Sequence, residues 1–600
     1  MAEYINKGND GFKKARRSEY VDKSELIAFV NASLGTEQNM ICVTRARRFG
    51  KSMAAKMLCA YYDQSCDSRF LFDDLKIASD ASYPEHLNKY PVLYLDVTSF
   101  TSTCQNHMSD IVKVMESSLQ GELQSIYPDV SWPAGTPLTS ALLKVVESTG
   151  RKFIMIIDEW DAICREASAE PELMREYVNF LRSLFKSGNT DQIFEGVYMT
   201  GILPIIQYDT QSALNNFQEY TMISPAGVAD YFGFTPSEVH SLAAKYKMDE
   251  DLLRLWYDGY QLGESTSIYN PYSVINATHR NCIESYWSAT GAYEGLRRFI
   301  TMNFNGLKDD VIRLVTGEKV HTDVMCFSNN IHDIGSRDAV LTVLIHLGYL
   351  SYDRASESVS IPNMEIRKEF EKTLKDSGWD RIAGAISDSE KLLSDTLSGE
   401  ADKVAAAIDA IHSDSTSILQ YNDENSLACV ISLAYYAARK DYAIIRELPA
   451  GKGFADIVFM PRPGIDSPAI LVELKYGKSS ESALNQIKGK EYDGILKDFC
   501  GEVVLVGISY NRKSKIHECS IEKTSLKTSL KTSMKTSLKT SLKIVDLIEN
   551  KPSIAAEEMS QILGISLRAV KYQLQNLKAS GKIRRIGPDK GGRWEILSKE

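Results

Sequence analysis

Paired cysteines are absent. Ten cysteines are scattered over 600 residues and none forms Cys-x-x-Cys, which argues against a zinc knuckle or a disulfide framework and for reduced, mostly buried thiols. The nine histidines, His86 and His107 among them, show no ligand spacing and read as structural or surface residues. Long apolar runs are missing too. The longest are strand-sized, far short of the ~20 residues that cross a bilayer as a helix. The N-terminus is polar and lacks the apolar centre of an export signal. The expectation is a cytoplasmic protein with no membrane partner. What is present suits large packed cores: 44% of the residues are hydrophobic, and at ~150 residues per domain the length predicts three or four domains.

Charge is unevenly placed. Residues 521–600 hold 16 Lys or Arg against 8 Asp or Glu, a balance of +8, which leaves −18 for the rest of a chain whose total is −10. A basic tail on an acidic body points to a module that faces nucleic acid.

Asp456 interrupts the apolar run Phe454-Ala455-Asp456-Ile457-Val458, and Ile470-Leu471-Val472 leads into Glu473-Leu474-Lys475. Both stretches predict strands, with the Pro- and Gly-rich residues 460–468 as the hairpin loop between them. Carboxylates on paired strands can share one Mg²⁺, a hard cation that takes oxygen ligands and keeps several waters. Lys475 faces the same side of its strand as Glu473. There it can hold or activate an attacking water, which is equipment for phosphodiester hydrolysis. Upstream, Glu424 falls in the first turn of a predicted helix that continues to Lys440. Downstream, Gln486 lies near the start of another that begins at Ala483. This order of helix-Glu, strand-Asp, strand-Glu-x-Lys and helix-Gln resembles the PD-(D/E)XK nuclease superfamily over roughly residues 400–520. The resemblance implies Asp456, Glu473 and Lys475 as the catalytic trio, Glu424 as an accessory ligand beside the metal-holding Asp456 and Glu473, and Gln486 as a support of the site.

A second set of motifs lies near the N-terminus. Met40 to Thr44 is a short apolar strand, followed by Arg45-Ala46-Arg47-Arg48-Phe49-Gly50-Lys51-Ser52 and a predicted helix from Met53 to Tyr62. Strand, loop, Gly-Lys-Ser and helix is the layout of a phosphate-binding loop, whose backbone N–H groups and helix N-terminus attract phosphate oxygens. Arg48, Gly50, Lys51 and Ser52 are the candidate phosphate contacts. Lys51 would reach the β- and γ-phosphates, and the Ser52 hydroxyl would ligate Mg²⁺. The first Gly of Gly-x-x-x-x-Gly-Lys-Ser is replaced by Arg45, which predicts a different turn. Residues 151–159 form an apolar strand that ends in Asp158-Glu159. There Asp158 can hold the Mg²⁺ shell and Glu159 can orient the hydrolytic water. Residues 194–201 form a further strand whose Thr200 is placed to sense the γ-phosphate, and Pro91 to Asp96 supplies another. Continuous apolar strands alternating with helices predict a parallel α/β sheet, with its site at the carboxyl ends of the strands.

Tyr20-Val21-Asp22-Lys23-Ser24, Arg47-Arg48-Phe49-Gly50-Lys51-Ser52, Ile157-Asp158-Glu159-Trp160-Asp161, Thr200-Gly201-Ile202-Leu203-Pro204, Trp256-Tyr257-Asp258-Gly259-Tyr260 and Tyr269-Asn270-Pro271-Tyr272-Ser273 together resemble the bacterial AAA-ATPase-like family. Members of that family commonly carry a C-terminal PD-(D/E)XK domain. Members often have Pro where this chain has Ala46. The expected architecture is an α/β multidomain chain. A P-loop core spans residues 1–227, with ATP and Mg²⁺ as cofactors. Residues 228–376 form a mainly helical lid, in which residues 340–362 read as an internal winged-helix-like unit. A nuclease-like domain spans 400–520.

The tail has two parts. Residues 524–543 hold five tandem Thr-Ser-(Leu/Met)-Lys copies. Thr and Ser are poor helix formers, so 521–543 reads as a linker, with non-specific phosphate contact by the Lys row as the alternative. Residues 544–600 read as helix, helix, tight turn at Gly564, third helix from Leu567 to Ser580, and a basic hairpin. This resembles a winged helix. Arg568, Lys571, Tyr572 and Gln575 would enter the major groove, and Arg584, Arg585, Lys590 and Arg593 would touch phosphates from the wing. Use of the same fold for protein contacts stays open. The combined expectation is an ATP-regulated, Mg²⁺-dependent nuclease acting on nucleic acid, with DNA the favoured partner. The alternative is a nucleotide-gated regulatory or DNA-binding protein whose nuclease-like domain no longer cuts. Oligomerisation is left open.

Overall fold

Five parallel strands form the centre of the N-terminal part: β1 (Met40–Thr44), β2 (Val92–Asp96), β3 (Phe153–Asp158), β4 (Phe194–Gly201) and β5 (Gln218–Tyr220). They lie in the order β2-β3-β4-β1-β5. The computed structural model describes residues 3–104, 107–166, 171–205, 207–208, 211–212, 214–262, 267–287, 293–302, 304–376, 379–415, 430–450, 453–462, 465–489, 502–511, 514, 516–525, 544–545, 547–548, 551–563, 570–571, 574, 577–578, 583–587 and 592–596. The described chain divides into two units, Met1–Ala383 and Gly384–Glu600.

Strands β1 to β4 are largely apolar and buried because both faces of the sheet are covered there, whereas the edge strand β5, Gln218-Glu219-Tyr220, is polar and partly exposed. Met40 and Cys42 of β1, Phe153, Met155 and Ile157 of β3, and Met199 of β4 pack into one core. Ile41, Val43, Ile154, Ile156 and Tyr198 point the opposite way into a second core. Cys42 is thus a packing residue. The helix after β1, α1 (Lys51–Tyr62), begins two residues before the sequence-based start and takes in Lys51 and Ser52.

Beyond the sheet the same unit carries helices and a small antiparallel sheet. α3 (Pro271–Arg280) opens with Pro271, and the Asn270 side chain caps it by accepting from the N–H groups of Tyr272 and Ser273. α4 (Arg337–Leu347) is followed by β7 (Ser351–Asp353) and β8 (Ser358–Ser360). β8 pairs on its other side with β6 (Val320–His321). The predicted helix-then-hairpin order is therefore present, with a third strand that the sequence reading did not include.

The second unit contains a mixed five-stranded sheet of β9 (Tyr442–Ala450), β10 (Gly453–Pro461), β11 (Ala469–Tyr476), β12 (Glu502–Asn511) and β13 (Ile516–Ser525), in that order. Only β11 and β12 run parallel. The crossover between them contains α7 (Ser480–Gly489), since parallel neighbours need a long connection. Two helices precede the sheet, α5 (Asp380–Ser398) and α6 (Ala401–Ser415). The sequence reading had left residues 377–399 unassigned. Thr396 and Tyr435 share a buried 2.7 Å hydrogen bond that ties α5 to the segment before β9.

At the C-terminus Ile544, Ile548, Ile554, Met559, Val570, Leu574, Leu577 and Ile583 form a separate small core. α8 (Ala556–Leu563) contributes Met559. Val570, Leu574 and Leu577 recur at i, i+4 and i+7, one face of a helix. β14 (Ile583–Ile586) and β15 (Arg593–Ile596) pair antiparallel as the wing.

Candidate functional site

Gly50 stands at φ 90° as the N-cap of α1, a left-handed conformation that costs a glycine little. It turns the chain so that Lys51 and Ser52 open the helix beside the carboxyl end of β1. The parallel order places β4, with Thr200, between β1 and β3, so Lys51, Ser52, Asp158, Glu159 and Thr200 gather at one rim of the sheet. Lys51 is 3% exposed, and its Nζ donates to Ala46 O at 3.1 Å. Burial lowers the pKa of its ammonium, against the pull of Glu159, Asp161 and Asp158. Asp158 sits opposite. Burial pushes its carboxyl up to about 6, while the Ser52 hydroxyl pulls it down. Its Oδ2 accepts from the Tyr94 hydroxyl at 3.3 Å, whereas Oδ1 is buried without a hydrogen bond. An unsatisfied carboxylate oxygen beside a serine hydroxyl and a lysine fits the Mg²⁺ that accompanies a nucleoside triphosphate.

The loop between β1 and α1 is bulky where a glycine-rich loop would be bare; Arg45, Arg48 and Phe49 each have a partner, and Arg47 is exposed. Arg45 is fully buried. Its Nη1 donates to the carbonyls of Thr44 and Tyr220 at 2.8 and 2.9 Å, and its guanidinium lies 5.3 Å from the Phe232 ring centre. The substitution of the first loop glycine thus fastens β1 to β5. Arg48, at φ 71°, stacks over the Tyr272 ring at 3.7 Å and donates to Tyr286 O. Phe49 meets Tyr260 edge-on at 5.0 Å. A Cβ on Gly348, the residue that ends α4, would approach the Ala46 side chain to 2.6 Å.

A cavity of about 390 Å³ opens beside this loop. Its lining includes the polar or loop residues Gly50, Lys51, Ser52 and Glu159 and the apolar or aromatic residues Tyr20, Phe234, Tyr272 and Ile275. Tyr20 and Tyr272 each stand within a sequence motif that gives them no task by itself. Only tertiary contact assembles them, because they lie some 250 positions apart.

In the second unit, the ladder between β10 and β11 pairs Ile457 with Val472, which sets Asp456 beside Glu473. Asp456 Oδ2 accepts the Leu474 N–H at 2.7 Å. Lys475 Nζ donates to Glu473 Oε1 at 3.1 Å, and Gln486 Nε2 donates to the same oxygen. Gln486 reaches it because α7 lies directly on the sheet. A Cβ on Gly507, the β12 partner of Glu473, would stand 2.4 Å from Ser480 O. α7 starts at Ser480 rather than Ala483, so Gln486 is mid-helix, two turns in. Glu473 is 1% exposed and Asp456 is half-buried. The two carboxylates, Asp456 and Glu473, are the oxygen ligands that a hard divalent ion takes, with the Lys475 ammonium beside them. Among the described residues no cluster of three or more His, Cys, Asp or Glu side chains forms. Glu424 lies outside the described residues.

On the wing, Arg584 pairs with Glu595 at 2.5 Å and Arg585 stacks on Trp594 at 4.6 Å. The register puts Arg585 and Trp594 on the same face as buried Ile583, so the Arg585 stem packs rather than projects. Arg593 is on the other face, opposite Ile586, and Lys571 is exposed. Arg568, Tyr572, Gln575 and Lys590 lie outside the described residues. No helix among the described residues is long and apolar enough to cross a membrane.

Residues 8–210 match the family model described as Predicted AAA-ATPase, residues 422–519 that of the PD-(D/E)XK nuclease superfamily, and residues 538–584 that of Winged helix-turn-helix DNA-binding. An uncharacterized protein encoded in the vnfD 5′ region of Azotobacter chroococcum mcd 1 is 21% identical over 392 residues, covering 61% of this chain and 69% of its own. The Aeropyrum pernix ORC2 protein, solved in ADPNP and ADP complexes, aligns at 11% identity over 62% of this chain and 99% of its own, with a TM-score of 0.22. The A. pernix ORC1 protein in complex with DNA aligns at 13% identity over 63% of this chain and 98% of its own, with a TM-score of 0.19. The chain therefore joins an AAA-ATPase-like domain, a PD-(D/E)XK nuclease superfamily domain and a winged helix-turn-helix domain in one polypeptide.

Proposed function

We propose that this protein is an ATP-regulated nuclease that hydrolyses phosphodiester bonds in DNA, with Mg²⁺ held by Asp456 and Glu473. The reading is carried by the meeting of Asp456, Glu473, Lys475 and Gln486 on adjoining elements. When bound there, a divalent ion would supply Lewis acidity and lower the pKa of a ligated water. The protein's own groups do the positioning. The Leu474 N–H fixes one Asp456 oxygen. Gln486 and Lys475 fix Glu473 in one rotamer. The Lys475 ammonium lies on the side where a water and a phosphate oxygen would collect, and there it offsets negative charge.

In the first unit Lys51 would take the β- and γ-phosphates, Ser52 and Asp158 would hold the accompanying Mg²⁺, and Glu159 would orient water. The aromatic and apolar lining residues Tyr20, Phe234, Tyr272 and Ile275 would suit a purine ring. Regulation finds support in the loop itself: Arg48 and Phe49 touch Tyr272, Tyr286 and Tyr260, so a phosphate that moves the loop disturbs the lid. The winged helix would supply DNA affinity.

The test is cleavage of plasmid and linear DNA by the full chain with Mg²⁺ or Mn²⁺, with and without ATP. Wild type is expected to cut and Asp456→Ala to lose cutting; equal cutting by both would sink the nuclease site. A second reading, a nucleotide-gated DNA-binding regulator with an inert nuclease-like domain, is favoured by one observation. Glu473 is 1% exposed and its Oε1 already accepts two donors. Calorimetric titration of Mn²⁺ decides between them. Binding that disappears in Glu473→Ala supports the nuclease, and no binding in wild type supports the regulator.

A further inference from the structure

We infer that Arg165 is a positioning residue that holds the Glu159 carboxylate off Lys51, leaving the buried ammonium available to phosphate. The inference rests on the reading of Lys51 as the phosphate-binding lysine.

Glu159 follows β3 at φ 55°, in the left-handed region, which aims its side chain back over the loop. Its two oxygens meet two cations. Oε1 is 3.6 Å from Lys51 Nζ, and Oε2 is 2.5 Å from Arg165 Nη2. The near contact is therefore with the arginine and the far one with the lysine. Arg165 lies on α2 (Ala162–Glu166), and its fork bridges two acids, since Nε also reaches Asp161 Oδ2 at 2.9 Å. Asp161 is fully buried and accepts the N–H groups of Ile202 and Leu203 at 3.1 and 3.0 Å. The guanidinium is thus fixed to the turn just after Thr200. α2 is held from outside as well: His332 Nε2 donates to Cys164 O at 2.9 Å, and the Tyr177 hydroxyl donates to Trp160 O at 2.7 Å.

A buried ammonium pairs with the nearest carboxylate, because desolvated charges attract strongly and cannot turn to water instead. Without Arg165, Glu159 keeps one cationic neighbour of this pair, Lys51. Glu159 would then close the present 3.6 Å Lys51–Glu159 ion pair into a tight contact that would have to be broken before phosphate could bind, and the local charge would fall by one. With Arg165 present, the planar fork takes Glu159 and Asp161 together, a geometry an ammonium cannot copy.

The experiment measures Mg²⁺-dependent binding of a fluorescent, slowly hydrolysed ATP analogue to the full chain. It compares wild type with Arg165→Ala, Arg165→Lys, Glu159→Gln and the Arg165→Ala/Glu159→Gln double variant, each checked for thermal unfolding. Arg165→Ala should weaken binding about tenfold or more, equivalent to one lost charge contact in a desolvated site. Arg165→Lys should recover only part of the loss. Glu159→Gln alone should bind at least as tightly as wild type, and the double variant should return to within about threefold of it. Wild-type affinity in Arg165→Ala overturns the inference. So does a double variant as weak as Arg165→Ala, which would mark Arg165 as merely structural. If wild type binds no nucleotide, or Lys51→Ala binds as well as wild type, the phosphate-loop reading has failed and the inference falls with it.

Discussion

Arg45 and Asp158 show what single side chains contribute at the rim of the parallel sheet. Arg45 fills the place of a loop glycine, and its Nη1 donates to two carbonyls, one on its own strand and one on β5, while Nε and Nη2 are buried without a hydrogen bond. It trades the freedom of a bare loop for a fixed one. Asp158 is raised by burial to about 6, above the ordinary Asp value, so its ionised form is the costly one in the free fold. Its contribution to stability is therefore greatest below about pH 4 and is lost as the pH rises through about 6. The proposed binding of a Mg²⁺-nucleotide would need the ionised carboxylate and would run in the opposite direction. Affinity should fall severalfold between about pH 7 and about pH 5. Asp158→Asn should bind weakly and lose that limb of the pH dependence. Titrations of a fluorescent ATP analogue across this range check both statements. An unchanged limb in Asp158→Asn would assign the pH dependence to another group. The motif Ile157-Asp158-Glu159 was legible in sequence because an apolar run ending in two acids is a local pattern. Arg165 was not, and Asp161 stood in the motif without a task, because their value lies in contacts to residues some 40 positions away or across a turn of helix.

Among the elements, α7 and the wing carry the sharpest expectations. α7 presses on β12 at Gly507, and this close approach is what lets Gln486 reach Glu473. Gly507→Val should push α7 outward. It should cost about 1–3 kcal/mol or more of stability, as overpacking does, and reduce cleavage more than the stability loss explains. Urea unfolding and cleavage assays measured on the same preparations test this. Retention of full activity would show that Gln486 is dispensable. The sequence placed Gln486 on a helix but could not fix the helix start, since Ser479 to Ala483 carries no strong propensity contrast. The wing makes a different forecast. Arg585 stacks on Trp594 and Arg584 pairs with Glu595, while Arg593 and Lys571 are exposed. Arg593→Ala and Lys571→Ala should each weaken DNA binding and reduce its salt slope by about one. Arg585→Ala should chiefly lower the wing's stability. Binding isotherms at several salt concentrations separate the two effects. Sequence showed the basic hairpin, whereas only the register revealed which side of it faces the core.

For the molecule as a whole, a basic segment of +8 on a chain of −10 places attraction for a polyanion at one end and repulsion along the rest. DNA affinity should therefore fall steeply with salt. On the proposed function, the chemistry of the two units should also be separable. Lys51→Ala should abolish ATP binding and any ATP dependence of cutting, while Mn²⁺ binding at Glu473 persists. Parallel calorimetric titrations with ATP and Mn²⁺ test this. Loss of both in Lys51→Ala would mean that the metal site depends on nucleotide occupancy.

The amino-acid sequence by itself determined the elements and the chemical groups on them. Alternating and continuous apolar runs define strands through near-neighbour periodicity, and Gly-Lys-Ser, Asp-Glu and Glu-x-Lys stand at the ends of those strands. Three domain types follow from such local patterns. Tertiary structure alone decided which groups share an oxygen or a cavity: Gln486 with Glu473, Arg165 with Glu159, Tyr20 with Tyr272, and Arg45 with β5. The reason is physical. Periodicity acts over a few residues, whereas burial, desolvation and hydrogen bonding act between surfaces that the chain brings together only after it has folded.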